Sequence, residues 1–125
     1  MILGIGIDIL RVERIRESVI RFGDRFLCRV FTDSERRYCE AKPRPYESYA
    51  ARFAVKEAAF KALGRGWDEC GGFTSVEVVS GESSRPSVVF HGKAAAFSRE
   101  LVVTTAHVSI THDGGVSAAV VIIEG

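Results

Sequence analysis

The sequence has 125 residues and is poor in features that mark export, membrane insertion or metal-ligating cysteine clusters. Its three cysteines are odd in number and lack metal-type spacing, which favours a reducing compartment. The apolar run at 118–123 is far too short to span a membrane, and the N-terminus has no signal-peptide pattern. No internal repeat, low-complexity tract or long linker is visible. These absences predict one cytoplasmic domain over residues 1–125.

The net charge is only +1, yet the charges are unevenly distributed along the chain. Residues 1–65 contain 14 Lys/Arg and 9 Asp/Glu, whereas residues 66–125 contain 3 and 7. Most of the basic residues before position 45 are arginines, which bind phosphates and carboxylates well. The N-terminal half therefore favours an anionic partner, although a solvated basic helix face is an equally simple interpretation.

Hydrophobic periodicity predicts the order of secondary structure. The pattern indicates a strand at 2–9, helices at 12–22, 25–31, 32–41 and 46–63, and a loop at 64–72. It then indicates strands at 73–80 and 86–90 around a turn at 81–84, a helix at 92–101, and hairpin strands at 105–111 and 116–123. An N-terminal strand and helices followed by an antiparallel sheet predict a small α+β domain.

The predicted helix at 46–63 consists largely of alanine and carries an aromatic stripe at helical spacing. It also carries four charged residues: Arg52, Lys56, Glu57 and Lys61. Lys56 lies within the stripe, whereas Glu57 and Lys61 share its flank at i and i+4. Charged groups on a mostly buried helix need partners, so we favour functional roles over an ordinary surface Glu–Lys pair.

The N-terminal strand ends in a carboxylate, in the sequence Gly4-Ile5-Gly6-Ile7-Asp8. The two glycines do not continue into a Gly-x-x-Gly pattern, which excludes a dinucleotide-binding fingerprint. Asp8 either faces a cleft or simply terminates the strand. Together with Glu57 it forms a two-carboxylate set of the kind that binds Mg²⁺, with Mn²⁺ as the open alternative, alongside phosphate oxygens and water. This combination predicts phosphate chemistry.

Two segments resemble the paired signatures of the 4′-phosphopantetheinyl transferase family. They are Gly6-Ile7-Asp8 and the run Arg-Phe-Ala-Val-Lys-Glu-Ala-Ala-Phe-Lys at 52–61. The short chain and the run His-Val-Ser-Ile-Thr-His at 107–112 resemble the small bacterial branch of that family. The resemblance covers essentially the whole chain and is least distinctive at 64–104. It implies the family's α+β fold and transfer of the phosphopantetheine arm of coenzyme A to a serine of apo-acyl carrier protein, in fatty acid or polyketide biosynthesis, with release of adenosine 3′,5′-bisphosphate.

The resemblance also implies roles for individual residues. Asp8 and Glu57 would hold Mg²⁺ at the coenzyme A diphosphate, Lys61 would neutralise the leaving group, and Glu57 or a metal-bound water would accept the serine proton. The implied coenzyme A-binding residues are Arg52, Lys56, Lys61, His107, Thr111 and His112. Arg52 and Lys56 would either contact phosphates or organise the pocket. Without the resemblance, the two histidines would be interpreted as structural residues at strand ends.

By the same resemblance, the arginine-rich helix at 11–25 would dock the acidic carrier protein. The implied docking residues are Arg14, Arg21, Arg25, Phe22 and Phe26. Members of this branch form homotrimers with active sites between subunits, so the same assembly is expected here, with no nucleic-acid or membrane partner. Two alternatives remain open from the residues: a non-catalytic module that binds acidic proteins, and another Mg²⁺-dependent enzyme that acts on nucleotides.

Overall fold

The computed structural model describes residues 1–80 and 85–125. Along the chain the elements are β1 (Ile2–Arg11), α1 (Val12–Phe22), α2 (Asp24–Val30), α3 (Asp33–Glu40), α4 (Pro45–Leu63), a 3₁₀ turn (Phe73–Ser75), β2 (Val76–Ser80), β3 (Pro86–Phe90), α5 (Gly92–Glu100), β4 (Thr105–Asp113) and β5 (Val116–Glu124). The α+β class predicted from the sequence is confirmed. The predicted turn at 81–84 lies outside the described residues.

The N-terminal strand pairs with the C-terminal hairpin, so the sequence ends meet in one antiparallel sheet of order β1-β5-β4. Strands β2 and β3 form a separate antiparallel pair. Helix α4 packs against the inner face of the three-stranded sheet, where Ala119, Val121 and Ile123 of β5 are buried. The opposite, outer face leaves Ile5, Ile7 and Ile9 of β1 exposed by 59%, 66% and 67%.

Glycine in β1 and alanine in α4 allow the strand and the helix to approach closely. A Cβ atom at Gly6 would overlap the carbonyl oxygen of Ala58 and lie 2.8 Å from the backbone nitrogen of Ala62. A Cβ atom at Gly4 would overlap the carbonyl oxygen of Ala62. The alanine content of α4 is therefore explained by backbone packing against β1, since larger side chains would hold the two elements apart.

Most predicted helix ends are confirmed, and their signals are local. Thr32 and Glu35 form the expected capping box at the start of α3. Gly64, with φ of 70°, ends α4 in the left-handed conformation. The predicted strand at 73–80 begins later than expected, because Phe73–Ser75 forms a 3₁₀ turn before β2. Among the described residues, no helix combines the length and apolarity that crossing a membrane requires.

The close contact between β1 and α4 leads to a quantitative prediction about the free energy of unfolding. Replacing Gly6 with alanine should lower the free energy of unfolding by about 3 kcal/mol, because the new methyl group forces the helix away from the strand. Gly114 has a positive φ of 56°, unlike Gly6, and a Cβ there meets nothing within 4 Å. Gly114→Ala should therefore cost only about 1 kcal/mol of backbone strain. Urea unfolding of both variants checks this, and equal losses would contradict the close-packing explanation.

Candidate active site

Two acidic residues from different elements lie together where α4 crosses β1. Asp8 lies on the inner face of β1, opposite Ala119 of β5, and its side chain is 17% exposed. Glu57 is half-buried on α4. Burial raises the pKa of the Glu57 carboxyl, and the negative charge of Asp8 raises it further, whereas Lys61 and Arg14 lower it. The two carboxylates are thus close enough to repel each other, and both are flanked by cations.

Lys61 connects the helix to the end of the strand. Its ammonium donates hydrogen bonds to the carbonyl oxygen of Ile7 at 2.8 Å and to Oδ1 of Asp8 at 3.3 Å. Its side chain remains 54% exposed, so the cation is held beside the carboxylates while still facing solvent. The structure therefore brings three predicted site residues together: Asp8, Glu57 and Lys61.

The donor set at this cluster is small. Within the described residues, no group of three or more His, Cys, Asp or Glu side chains is arranged to hold a metal ion. Two carboxylates with nearby cations do not form a closed protein cage. They suit a hard divalent cation that takes its remaining ligands from water and phosphate, as Mg²⁺ commonly does.

A cavity of about 920 Å³ lies between α4, the β2–β3 pair and β4, and two further predicted residues line it. Arg52 and His107 both line it, together with Arg85, which the sequence did not single out. Arg52 is only 4% exposed. Within residues 1–80 and 85–125, no carboxylate lies within ion-pair distance of its guanidinium. A buried cation that no described carboxylate pairs with makes this cavity suitable for an anion.

Lys56 lies elsewhere, and its contacts bear on its two predicted roles. Its ammonium is 2.8 Å from Oε1 of Glu35, and both side chains are fully buried. It also donates to the carbonyl oxygens of Phe73, at 3.2 Å, and of Val76. Burial lowers the pKa of Lys56, whereas Glu35 raises it. Every donor of this lysine is directed into the interior, which favours a role in organising the pocket over contact with coenzyme A phosphates.

Glu35 is a residue whose importance the sequence only partly signalled. Its capping-box position explained one contact, in which Oε1 accepts the backbone N–H of Thr32 at 2.9 Å. Its other oxygen accepts the backbone N–H of Val78 at 2.9 Å. With Lys56, it joins α3, α4 and β2 at one buried point. Only the tertiary structure reveals this, since the partners are far apart in sequence.

The remaining predicted coenzyme A residues are spread along β4. His107 has Nε2 2.7 Å from Oε1 of Glu124, a pairing across from β4 to β5. Thr111 is exposed on the outer face of the sheet, opposite Ala118. His112 lines a separate cavity of about 450 Å³ with Arg44 and Glu47 near the start of α4. The structure does not bring these residues to the cluster at Asp8.

The predicted docking residues form an exposed surface on α1 and α2. Arg14, Arg21 and Arg25 are exposed, Phe22 is 52% exposed, and Phe26 is half-buried. The Arg21 guanidinium lies 5.2 Å from the centre of the Phe22 ring. Arg14 is near enough to Glu57 to lower the pKa of that carboxyl. This surface therefore adjoins the carboxylate cluster.

The cluster and the cavity lie on different sides of α4. Glu57 follows Arg52 by five residues, which corresponds to roughly 140° of rotation around a helix axis. A single copy of the chain therefore separates the predicted metal-binding carboxylates from the buried cation at Arg52.

The comparisons with known proteins agree with one another, and each covers almost the whole chain. The profile of the 4′-phosphopantetheinyl transferase superfamily matches residues 4–120. The chain is 50% identical over 126 residues to a holo-[acyl-carrier-protein] synthase of Koribacter versatilis, covering 99% of each. The crystal structure of the Neisseria meningitidis holo-[acyl-carrier-protein] synthase superposes with a TM-score of 0.91 at 27% identity, covering all of both chains. The Helicobacter pylori synthase in complex with coenzyme A gives 0.84 at 32% identity, covering 96% of this chain and 99% of that one.

For the buried Glu35–Lys56 pair, we expect that removing one partner lowers the free energy of unfolding more than replacing both partners with apolar residues. Glu35→Ala should lower the free energy of unfolding by about 3–5 kcal/mol, because it leaves the Lys56 cation buried without its partner. The double variant Glu35→Leu/Lys56→Met should recover a large part of that loss. The exposed Arg65–Glu69 pair, at 3.2 Å, is a matched control, and Glu69→Ala should cost less than about 1 kcal/mol. Urea unfolding measures all three, and a double variant no more stable than Glu35→Ala would contradict the assignment.

Proposed function

Because the chain belongs to the 4′-phosphopantetheinyl transferase superfamily over residues 4–120, we propose that it converts apo-acyl carrier protein to the holo form. It transfers the 4′-phosphopantetheine arm of coenzyme A to a carrier serine and releases adenosine 3′,5′-bisphosphate. The observation that carries this proposal is the full-length likeness to holo-[acyl-carrier-protein] synthases, one of them in complex with coenzyme A. The carboxylate–lysine cluster and the buried cation supply the charges that such a substrate needs.

Asp8 and Glu57 are the proposed ligands of Mg²⁺, with Mn²⁺ as a chemically similar alternative. The donor set fits a divalent cation because it consists of two carboxylates that repel each other. Burial and the negative charge of Asp8 both raise the pKa of Glu57. A divalent cation held by these two carboxylates would relieve that repulsion and would take its remaining ligands from phosphate oxygens and water. When bound, the metal neutralises charge on the coenzyme A diphosphate.

Lys61 is the proposed residue for leaving-group charge. In the reaction, the carrier serine oxygen forms a bond to the phosphorus that bears pantetheine. The bond from that phosphorus to the bridging oxygen of the diphosphate breaks, and the nucleotide phosphate leaves with the electron pair. The exposed ammonium of Lys61 beside Asp8 is positioned to stabilise this charge. Glu57 or a nearby water accepts the serine proton.

The cavity with Arg52 and His107 is the proposed site for the phosphorylated ribose of coenzyme A. Coenzyme A carries a diphosphate and a separate ribose phosphate. If the diphosphate occupies the cluster at Asp8, the buried guanidinium of Arg52 remains for the ribose phosphate. Arg85, at the same cavity, adds a second cation. Thr111 and His112 are proposed to contact the nucleotide from their own positions on β4.

We propose a homotrimer whose active sites form between subunits. Two observations support it. The cluster and the Arg52 cavity lie on different sides of α4, so one copy does not unite them. The outer face of the sheet also exposes Ile5, Ile7 and Ile9, an apolar surface that a second copy would bury. In the proposed trimer, the cluster of one chain and the cavity of another form one site.

Carrier recognition is assigned to the α1–α2 surface. Arg14, Arg21 and Arg25 present cations to an acidic carrier, and Phe22 and Phe26 provide apolar contact. Since Arg14 lies near Glu57, a carrier docked here would hold its serine close to the carboxylate cluster.

The function is tested by weighing an apo-acyl carrier protein after incubation with this protein, coenzyme A and Mg²⁺. A mass gain of one phosphopantetheine arm is expected for the wild type. Asp8→Ala and Glu57→Ala should each abolish the gain while circular dichroism shows an intact fold, because each removes a metal-binding carboxylate. Glu100→Ala, an exposed carboxylate of α5, is the matched control and should leave the gain unchanged.

The same assay separates the alternatives. Carrier binding without a gain in mass would indicate a non-catalytic docking module. A gain that persists at the wild-type rate in Asp8→Ala or Glu57→Ala would contradict the two-carboxylate site.

The shared site predicts complementation between Glu57→Ala, which lacks activity, and Arg52→Ala, which has little activity when coenzyme A is kept far below the raised KM of that variant. Glu57→Ala and Arg52→Ala chains, unfolded together and refolded as mixed trimers, should regain activity, because some interfaces combine an intact cluster with an intact cavity. Random mixing makes about a quarter of the sites complete. Each variant refolded alone is the control. Mixed trimers with no more activity than the separate variants would show that each site lies within one chain.

A further inference from the structure

Among the residues that the structure describes, an aromatic ring rather than a carboxylate holds Arg52 in place. Its guanidinium carbon lies 3.8 Å from the centre of the Tyr38 ring, a stacking distance. The hydrogen bond from Nη2 to Oγ of Ser80 is long, at 3.4 Å. Tyr38 belongs to α3 and lines the same cavity as Arg52. Within residues 1–80 and 85–125, the ring is therefore the principal support of a cation that is 4% exposed.

Stacking on a ring affects the Arg52 guanidinium differently from pairing with a carboxylate. A carboxylate partner would neutralise the guanidinium and occupy its N–H donors. A stacked ring fixes the plane of the guanidinium through its face and leaves the donors at the edge available. Arg52 thus keeps both its charge and its hydrogen-bonding capacity for an anion in the cavity.

Tyr38 also brings a second cation to this position. The ammonium of Lys42, four residues further along the chain, lies 4.6 Å from the centre of the same ring. A hydrogen bond with Ser80 lowers the pKa of the Tyr38 hydroxyl, and the charges of Lys42 and Arg52 lower it further. The Tyr38 ring therefore contacts two cations, and Arg52 is the one that lines the cavity with it.

We propose that Tyr38 is a positioning residue that aligns Arg52 on the ribose phosphate of coenzyme A and so sets the preference for coenzyme A over its dephosphorylated analogue. This inference rests on the proposed function and deepens it. It assigns Tyr38 no contact with the reacting atoms, so its effect belongs to substrate binding and not to the chemical step.

The test compares steady-state kinetics with coenzyme A and with dephospho-coenzyme A. Tyr38→Leu should raise KM for coenzyme A about tenfold with kcat unchanged, since the stacked support is lost. KM for dephospho-coenzyme A should change less than twofold. Tyr38→Phe keeps the ring and should restore KM to within about twofold of the wild type. Tyr46→Leu, the same substitution at another half-buried tyrosine, is the control and should leave both KM values unchanged.

A double-mutant cycle separates positioning from general damage to the fold. In an Arg52→Ala background, Tyr38→Leu should have no further effect on KM, because the residue acts through Arg52. An equal rise of KM for both substrates, a fall in kcat, or the same rise in the Arg52→Ala background would overturn the proposal. If Tyr38→Leu does not fold, Tyr38→Met removes the ring while keeping an apolar side chain of similar length, and the same outcomes apply.

A binding measurement keeps this inference separate from the proposed function. Calorimetry with adenosine 3′,5′-bisphosphate and with adenosine 5′-monophosphate requires no turnover. Tyr38→Leu should weaken binding of the bisphosphate about tenfold and leave that of the monophosphate unchanged. A wild type that modifies no carrier would refute the transferase proposal, whereas equal weakening of both nucleotides would refute the role of Tyr38.

Discussion

The close contact between β1 and α4 is the constraint on which the arrangement of this protein depends. Gly4 and Gly6 have no side chains to separate the strand from the carbonyl oxygens of Ala58 and Ala62. Asp8 is the next residue on the same face of the strand after Gly6. The contact therefore brings Asp8 to the flank of α4 that carries Glu57 and Lys61, where Lys61 bonds both Ile7 and Asp8. A bulkier residue at either glycine would separate these charges.

A second buried contact organises the other side of α4. The ion pair between Lys56 and Glu35 fixes α3 against α4, and the backbone N–H of Val78 attaches β2 to the same carboxylate. Tyr38 lies one turn after Glu35 on α3, so this anchor also holds the ring against Arg52. The two candidate site regions thus depend on two different kinds of packing along one helix, a glycine–alanine contact and a buried ion pair.

The carboxylate cluster at Asp8 and the cavity at Arg52 are suited to ligand groups of opposite charge. Repelling carboxylates are suited to a divalent cation, and a buried guanidinium without a paired carboxylate among the described residues is suited to a phosphate. A substrate with several phosphates satisfies both only if the two regions approach each other. Their separation around α4, together with the exposed isoleucines of β1, makes assembly of several copies part of the proposed chemistry.

The amino-acid sequence alone determined the features that depend on near neighbours. The capping box at Thr32, the helix end at Gly64, the C-terminal hairpin and the i,i+4 relation of Glu57 and Lys61 all follow from local backbone geometry, and the structure contains them. The family motifs likewise depend on short runs of residues. Contacts between distant segments were decided only by the tertiary structure: the pairing of β1 with β5, the burial of Lys56 on Glu35, and the stacking of Tyr38 on Arg52. Periodicity shows that a lysine lies on an apolar face, but the free energy of burying its charge depends on which partner the fold supplies.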